Sequence, residues 1–486
     1  MEEELAKIFA LEPAGLAYDS RRVEPGFVFF AIKGFQDDGH FYVGDAVQRG
    51  AIGVVVERPV VAPGVAVVRV PSTRRALALA AARFYGYPAH RLFTVGITGT
   101  NGKTTTTHLI EAVYRAQGRK TGLIGTLYNK IGGIVLPGER TTPESLDLQA
   151  LLRRMVDEGV EVAVMEVSSH ALALERVTGV EFDVAVFTNL TQDHLDFHQN
   201  LEDYFAAKAR LFTALNEPGV KSRPKAAVLN ADDPYGPRLA SLSGGKVITY
   251  GVEKAADVQA REVLLTANGT GFTVESPWGQ AAVHLELVGR FNVYNALAAF
   301  TVGGWEGFPP QEVAQALGSA AAVPGRFERV DAGQDFTVVV DYAHTPDGLA
   351  NVLQTARALS RGRVIAVFGC GGNRDPLKRP VMGEVAGRLA DFTVITSDNP
   401  RSEDPLTIIA AIEAGIRSAG QGRYLTEPDR QEAIKKAFRY ARPGDVVVLA
   451  GKGHEDYQII GDKKLPFDDR KVAAAVLREM LAEESL

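Results

Sequence analysis

Leu92-Phe93-Thr94-Val95-Gly96-Ile97-Thr98-Gly99-Thr100-Asn101-Gly102-Lys103-Thr104-Thr105 decides how the rest of the chain is read. Its first half is a continuous apolar run and predicts a buried strand. Its second half predicts a tight loop that opens a helix. Glycines let backbone N–H groups turn inward around phosphates. The helix N-terminus adds partial positive charge, Lys103 adds a full one, and Thr104 offers a hydroxyl to Mg²⁺. Gly99, Thr100, Asn101, Gly102, Lys103, Thr104 and Thr105 are therefore expected to hold ATP. The spacing departs from a strict GxxxxGK[ST], because Ile97 stands at the first glycine position.

The same strand style recurs on both sides of this loop. Residues 160–165 and 182–187 read as two more buried strands, with helical stretches between them. Such alternation indicates a parallel sheet covered on both faces. After Val323-Pro324-Gly325, strands are expected at 337–340, 363–368, 392–396 and 445–450, a second doubly wound unit. Towards the N-terminus, short apolar runs at 27–32 and 52–56 precede an Ala-rich helix at 74–85. Gly86-Tyr87-Pro88 then reads as a linker. The expected fold class is α/β with three domains. These are a small N-terminal α/β domain over 1–91, a central P-loop parallel-sheet ATPase domain over 92–323, and a C-terminal doubly wound Rossmann-like domain over 324–486. The stretch 240–285 fits the parallel pattern poorly and is compatible with antiparallel strands.

Bulk properties agree with this division. The chain has 486 residues, enough for about three domains of roughly 150 each. Lys+Arg total 53 against 59 Asp+Glu, a net charge of −6 that gives no support to nucleic-acid binding. The single cysteine, Cys370, excludes an intramolecular disulfide and fits a reducing compartment. The N-terminus is acidic without a long apolar run, and no stretch reaches the ~18 apolar residues of a membrane helix. A cytoplasmic monomer without membrane insertion is the expectation.

Further polar clusters follow the strand ends, where open parallel sheets bind ligands. Glu166 follows the second central strand and can hold Mg²⁺ as a strand-end carboxylate does beside a phosphate loop. Ser168 and Ser169 come next, outside any GxSxG elbow, and read as ligand-binding hydroxyls. The third strand leads into a segment with His194, then a helix carrying Lys208; taken singly, both would be structural or surface residues. An NKxD guanine motif is missing, since Asn129-Lys130-Ile131-Gly132 lacks the Asp, which weakens a P-loop switch protein. Arg374 occupies the third glycine's place in Gly369-Cys370-Gly371-Gly372-Asn373-Arg374, which weakens a dinucleotide site. Asp398-Asn399-Pro400-Arg401 and Gly451-Lys452-Gly453-His454-Glu455 follow later strands.

In this order, GTNGKTT (99–105), MEVSSH (165–170), NLTQDHLDFH (189–198) and YFAAKARLF (204–212) resemble the central domain of the Mur ligases, which form amide bonds in peptidoglycan precursor synthesis. The resemblance covers essentially the whole chain. It implies that Lys103, Glu166, His194 and Lys208 are catalytic. It also implies that Lys208 reacts with CO₂ to become a carbamate, an anionic oxygen ligand suited to a hard cation. Two Mg²⁺ ions would follow, one on Thr104 and one held by Glu166, His194 and the carbamate. Asn295, Arg326 and Asp341, the last opening Asp341-Tyr342-Ala343-His344-Thr345-Pro346-Asp347, match ATP positions. Ser20, Thr141, Thr142, Ser168 and Arg176 match positions for the UDP-linked peptide, although Leu174 replaces a Gln frequent in the family.

The resemblance further implies the substrates. UDP-MurNAc-L-Ala-D-Glu would be activated by ATP as an acyl phosphate, and an amine would displace the phosphate. Arg374, Asp398, Asn399, Pro400, Arg401, Gly451 and Glu455 match the amino-acid site of the member that adds the third residue, in its meso-diaminopimelate version. An arginine can hold the distal carboxylate bidentately, and Asp398 or Glu455 can take the ammonium. A lysine-adding relative and a folylpolyglutamate synthetase-like ligase are the neighbouring alternatives.

Overall fold

The computed structural model describes residues 1–484 apart from positions 36, 267 and 421. Four strands, β1 (Gly15–Ala17), β2 (Phe27–Phe30), β3 (Gly53–Val56) and β4 (Ala66–Arg69), form a parallel sheet in that order. The helix Thr73–Phe84 covers it, one residue away from the expected limits, with the Ser72 side chain capping its first turn through Arg75 N–H. That side-chain oxygen satisfies a donor the helix itself cannot.

The central sheet has eleven strands. They are β5 (Phe93–Thr98), β6 (Thr121–Ile124), β7 (Tyr128–Ile131), β8 (Ile134–Pro137), β9 (Val162–Glu166), β10 (Val184–Phe187), β11 (Ala226–Asn230), β12 (Lys246–Gly251), β13 (Val258–Thr266), β14 (Gly269–Ser276) and β15 (Gly279–Leu285). Their order is β15-β14-β13-β12-β11-β10-β5-β9-β6-β7-β8. The middle of the sheet is parallel as expected, with β5 between β10 and β9. Successive side chains explain why these strands read as continuous apolar runs. Val162, Val164, Val184 and Val186 enter the core on one face; Ala163, Met165, Ala185 and Phe187 enter the core on the other. A strand buried on both sides has no polar alternation to display.

One edge, β6–β7–β8, departs from the expected parallel sheet, and the other lies in the stretch 240–285, whose sequence is compatible with antiparallel strands. The β6–β7–β8 and β13–β14–β15 meanders are antiparallel wings. Their connections are a few residues long, too short for a crossover and sufficient for hairpins. The ambiguous stretch 240–285 therefore contains β12, parallel to both β11 and β13, and from β13 onward an antiparallel meander.

The C-terminal sheet comprises β16 (Glu328–Val330), β17 (Thr337–Asp341), β18 (Val364–Phe368), β19 (Phe392–Ile395), β20 (Tyr424–Thr426) and β21 (Val446–Ala450), ordered β16-β17-β21-β18-β19-β20. Only β16 is antiparallel, and apolar cores lie on both faces. A hairpin, β22 (Tyr457–Ile460) and β23 (Lys463–Pro466), follows. Among the described residues, no helix is long and apolar enough to cross a membrane.

One buried ion pair ties the C-terminal strand ends together. Arg430 and Asp469 have no exposed side-chain surface and meet at 2.6 Å and 2.8 Å. The same guanidinium donates to the carbonyls of Ala450, at the end of β21, and of Ser397, after β19. Removing one member of such a pair leaves a desolvated charge without a partner, at a cost of about 3–5 kcal/mol. Asp469→Ala is expected to lower the unfolding free energy of the C-terminal unit by that amount, read as a lower urea midpoint at unchanged m. An unchanged midpoint would show that water or another group compensates Arg430.

Candidate active site

β5 ends at Thr98 and the chain turns through Gly99–Gly102 into the helix Lys103–Ala116. Gly99 and Gly102 have φ of 155° and 85°. A Cβ on Gly99 would lie 1.8 Å from Thr188 Oγ1, and one on Gly102 would lie 2.5 Å from Asn295 Oδ1. The turn thus needs glycine for both conformation and space. Its outer side is braced: Thr100 N–H donates to Asn189 O at 2.8 Å, and Asn101 N–H to Asn189 Oδ1 at 2.9 Å. Lys103 Nζ folds back to donate to the carbonyls of Gly99 at 2.9 Å and Thr100 at 2.8 Å.

The loop opens into a cavity of about 670 Å³. Every residue from Thr100 to Thr105 lines it, with Glu166, Asn295, Arg326 and Asp341 on other parts of the wall. Glu166 is almost wholly buried at the tip of β9. Its carboxylate accepts from Thr104 Oγ1 at 3.0 Å and from Thr126 N–H at 2.8 Å. Arg326 Nη2 donates to Thr104 Oγ1 at 3.1 Å while its guanidinium lies 4.6 Å over the Tyr342 ring. Asp341 accepts N–H bonds from Phe327 and Ala343, and burial raises its carboxyl. Asn101 Nδ2 donates to Asp347 Oδ2 at 2.8 Å, joining the loop to the helix Pro346–Leu359.

Lys208 lies behind the loop. It is buried on the helix Leu201–Thr213, and its Nζ donates to Gly99 O at 2.8 Å, the carbonyl that also accepts from Lys103. Burial, then the neighbouring Lys103 ammonium, holds its amine well below the usual lysine range. Burial likewise lowers Lys103. His194 has a left-handed φ of 56°, and burial pushes its imidazole down to about 3.

A second cavity, about 660 Å³, adjoins the first. Thr126, Thr141, Asp193, His194, Tyr342 and His344 line both. Arg374, Asp398, Asn399, Arg401, Gly451 and Glu455 line the second. Gly451, with φ 112°, would place a Cβ 2.6 Å from Asp398 Oδ2. Asn399 Nδ2 donates to Glu455 Oε2 at 2.8 Å. Arg401 Nη1 donates to Gly372 O at 2.7 Å; burial, then Arg374, lowers its guanidinium. Near the junction, Thr142 Oγ1 donates to Glu166 O at 2.8 Å, Ser168 N–H donates to Thr142 Oγ1 at 3.2 Å, and Arg176 Nη1 donates to Thr142 O at 3.1 Å.

Three family models match successive parts of the chain. They are the Mur ligase family catalytic domain over residues 12–85, the Mur ligase middle domain over 97–303, and the Mur ligase glutamate ligase domain over 325–453. The UDP-N-acetylmuramoyl-L-alanyl-D-glutamate–2,6-diaminopimelate ligase of Geobacillus thermodenitrificans (strain NG80-2) is 54% identical, covering 96% of this chain and 94% of that protein. The enzyme of the same name from Geobacillus kaustophilus (strain HTA426) is 53% identical, with coverage of 96% and 94%. The chain belongs to the Mur ligase family. A solved structure titled as a ligase of that same name superposes with a TM-score of 0.68 at 34% identity, covering 96% of this Mur ligase and 95% of that chain. Mur ligases are ATP-dependent, amide-bond-forming enzymes of peptidoglycan precursor synthesis, and so is this one.

The residues singled out in the sequence of this Mur ligase are not all gathered in one place. Lys103, Thr104, Glu166 and His194 line the first cavity, whereas Lys208 is outside its wall, with its Nζ on Gly99 O just before the lining residue Thr100. Thr141, Thr142, Ser168 and Arg176 cluster at the junction; Ser20 is buried in the turn Ser20–Arg22 of the N-terminal unit, and no hydrogen bond among the described residues joins it to those four. Pro400 is outside the second cavity's wall. The sequence reading missed Thr126, because the short β6 before it carries only Thr121-Gly122-Leu123-Ile124 as signal. It also missed Asp193, which is in the quoted NLTQDHLDFH motif but was passed over beside His194.

His344 and His454, together with His194, make the fold acid-sensitive. The rings of His344 and His454 lie 4.5 Å and 4.9 Å from that of Tyr342. Burial pushes His344 down to about 4 and His454 to about 3, from an ordinary 6.5. Below pH 6.5 the unfolded chain therefore takes up protons that the native state refuses, and stability falls as pH drops towards those values. The urea midpoint should fall steadily from about pH 7 to pH 5, a window set by the unfolded histidine value. His454→Asn should flatten that fall; an identical pH slope in the variant would remove His454 from the cause.

Proposed function

We propose that this Mur ligase joins meso-diaminopimelate to the D-Glu side-chain carboxylate of UDP-MurNAc-L-Ala-D-Glu. The reading rests on one observation above all: a phosphate-type loop cavity and a cavity holding paired arginines and acids share a wall of six residues. The names of the relatives favour the same substrates. In this reading residues 1–91 take the uridine end, 92–323 take ATP, and 324–486 take the amino acid. One chain supplies every group, so a monomer suffices, and its need for ATP suits the cytoplasm.

The substrate carboxylate attacks the γ-phosphorus of ATP and ADP leaves, giving an acyl phosphate. The amine of diaminopimelate attacks the acyl carbon, loses a proton, and phosphate leaves. Lys103 would exchange the carbonyls of Gly99 and Thr100 for phosphate oxygens, a stronger charge-assisted bond. Arg326, already on Thr104 Oγ1, is placed to stabilise the transferred group. The Thr104 hydroxyl and Glu166 carboxylate, bonded across the cavity wall, are hard oxygen donors that fit Mg²⁺. Bound there, Mg²⁺ would supply charge screening between the carboxylate and the phosphates. His194 and a carbamate on Lys208 complete the set proposed for a second ion. Burial, then Lys103, disfavours the ammonium form of Lys208, and its amine form can attack CO₂, forming the N–C bond and releasing one proton. The enclosing walls keep water from the acyl phosphate.

Diaminopimelate has a distal carboxylate that lysine lacks. Leaving a buried arginine without that partner can lower kcat/KM by up to ~10⁴-fold. Phosphate release and product mass are therefore expected to depend on meso-diaminopimelate, with L-lysine far slower. Arg401→Ala should raise KM for diaminopimelate by at least tenfold, about the 1.5–3 kcal/mol of a charged hydrogen bond, with KM for ATP unmoved. Faster turnover with lysine would replace this reading by the lysine-adding one. For Lys208, ¹³C-bicarbonate should produce a carbamate resonance that Lys208→Arg abolishes; its absence in the active enzyme would rule the carbamate out.

A further inference from the structure

Lys452 is an unusual lysine: its side chain has no exposed surface. It follows β21 in Gly451-Lys452-Gly453-His454-Glu455 and lies behind the second cavity without lining it. Its Nζ is 3.2 Å from Asn399 Oδ1, 3.2 Å from Glu455 Oε2 and 3.9 Å from Asp398 Oδ1. The Tyr457 ring lies 5.6 Å from the same nitrogen. One buried cation therefore contacts three residues of the proposed amino-acid site.

The hydrogen bonds give this contact a direction. Asn399 Oδ1 accepts from Lys452 Nζ and from Ile459 N–H at 3.0 Å, so its amide nitrogen must be the group that donates to Glu455 Oε2. Lys452 donates to the same Oε2. Oε2 is thereby fully engaged from within the protein, and Oε1 is the oxygen left for a ligand. The charges follow the same logic. Asp398, Glu455 and Lys452 by themselves sum to one negative charge, which suits an incoming ammonium, while Arg374 and Arg401 on the same wall suit a carboxylate.

We propose that Lys452 is a positioning residue for the amino-acid substrate, holding Asn399 and Glu455 in one orientation and keeping the Asp398–Glu455 pair selective for one ammonium group. The proposal rests on the reading of this cavity as the diaminopimelate site and deepens it. Burial, then Asp398, raises the Glu455 carboxyl, while Lys452 lowers it. Among the described residues, other charged or titratable groups around Glu455 include Arg401, Tyr342, Tyr457 and Arg430, with His454, Asp456, Arg374, Lys378 and Lys464 on the same cavity wall. None of them is hydrogen-bonded to its carboxylate among the described residues. Without Lys452, Glu455 would take a proton at higher pH and lose its hold on the ammonium.

Lys452→Met keeps an unbranched side chain, one atom shorter, and removes the charge. In steady-state assays from pH 6 to 9, the variant should show KM for meso-diaminopimelate rising as pH falls, and starting to rise at a higher pH than in the wild type, with KM for ATP unchanged. The wild-type enzyme should show a flatter profile over that range. Lys452→Met/Glu455→Gln removes both members of the pair and should abolish the pH-dependent part of the rise, leaving a weaker but pH-independent KM. A lysine that only fills space would move KM equally at all pH values, in the single and the double variant alike, and that outcome would overturn the proposal. If wild-type enzyme releases no phosphate in response to meso-diaminopimelate, the substrate reading itself fails. If wild-type enzyme responds and Lys452→Met matches its KM and pH profile, the role of Lys452 fails alone.

Discussion

The carbonyl of Gly99 accepts hydrogen bonds from two buried amines, Lys103 on the helix that follows it and Lys208 on a helix 109 residues further along the chain. Neither amine has a carboxylate within ion-pairing distance among the described residues. Burying cations on neutral acceptors is costly, and the lowered lysine values record that cost. The arrangement becomes favourable when an anion arrives. A polyphosphate offers Lys103 a charged acceptor, and a modified Lys208 would itself become one. The cradle is shaped by glycines at which a Cβ would meet Thr188 or Asn295, and it is braced by Thr188 and Asn189.

From that loop the organisation of the two cavities follows. β5 lies between β10 and β9, so the loop after it is flanked by Asn189 on one side and Glu166 on the other. The C-terminal unit contributes Arg326, Tyr342 and His344 to the same space, and Asn101 reaches Asp347 across the boundary. The reacting groups must meet where the cavities meet. The six shared residues are drawn from both units, so neither half holds the junction alone. Enclosure between two rigid sheets positions carboxylate, phosphate and amine without any nucleophilic side chain.

Much of this was legible in the linear chain because the physics is local. A strand buried on both faces is a run of apolar residues, and the run 92–97 is β5 to within one residue at each end. A phosphate cradle needs glycine at particular steps, and Gly99 and Gly102 show the positive φ that the pattern implied. The antiparallel wings were less legible. β7 is Tyr128-Asn129-Lys130-Ile131 and β8 is Ile134-Val135-Leu136-Pro137, two short runs around Gly132-Gly133 that fit a hairpin, but only the pairing of β7 with β6 makes that hairpin the edge of the central sheet. Thr126 was invisible for the same reason, since its importance comes from Glu166, 40 positions away.

The sequence by itself determined the order of strands and ligand-bearing tips, the glycine cradle, and the choice of oxygen, arginine and carboxylate groups at those tips. These depend on residue type and on neighbours a few positions away. Tertiary structure alone decided which of those groups share a space. It put Lys208 behind the cradle, left Ser20 in its own turn, and sealed Lys452 from solvent beneath Asn399 and Glu455. Burial and charge proximity are sums over elements distant in the chain, and an amine's environment can be read only once those elements have folded against it.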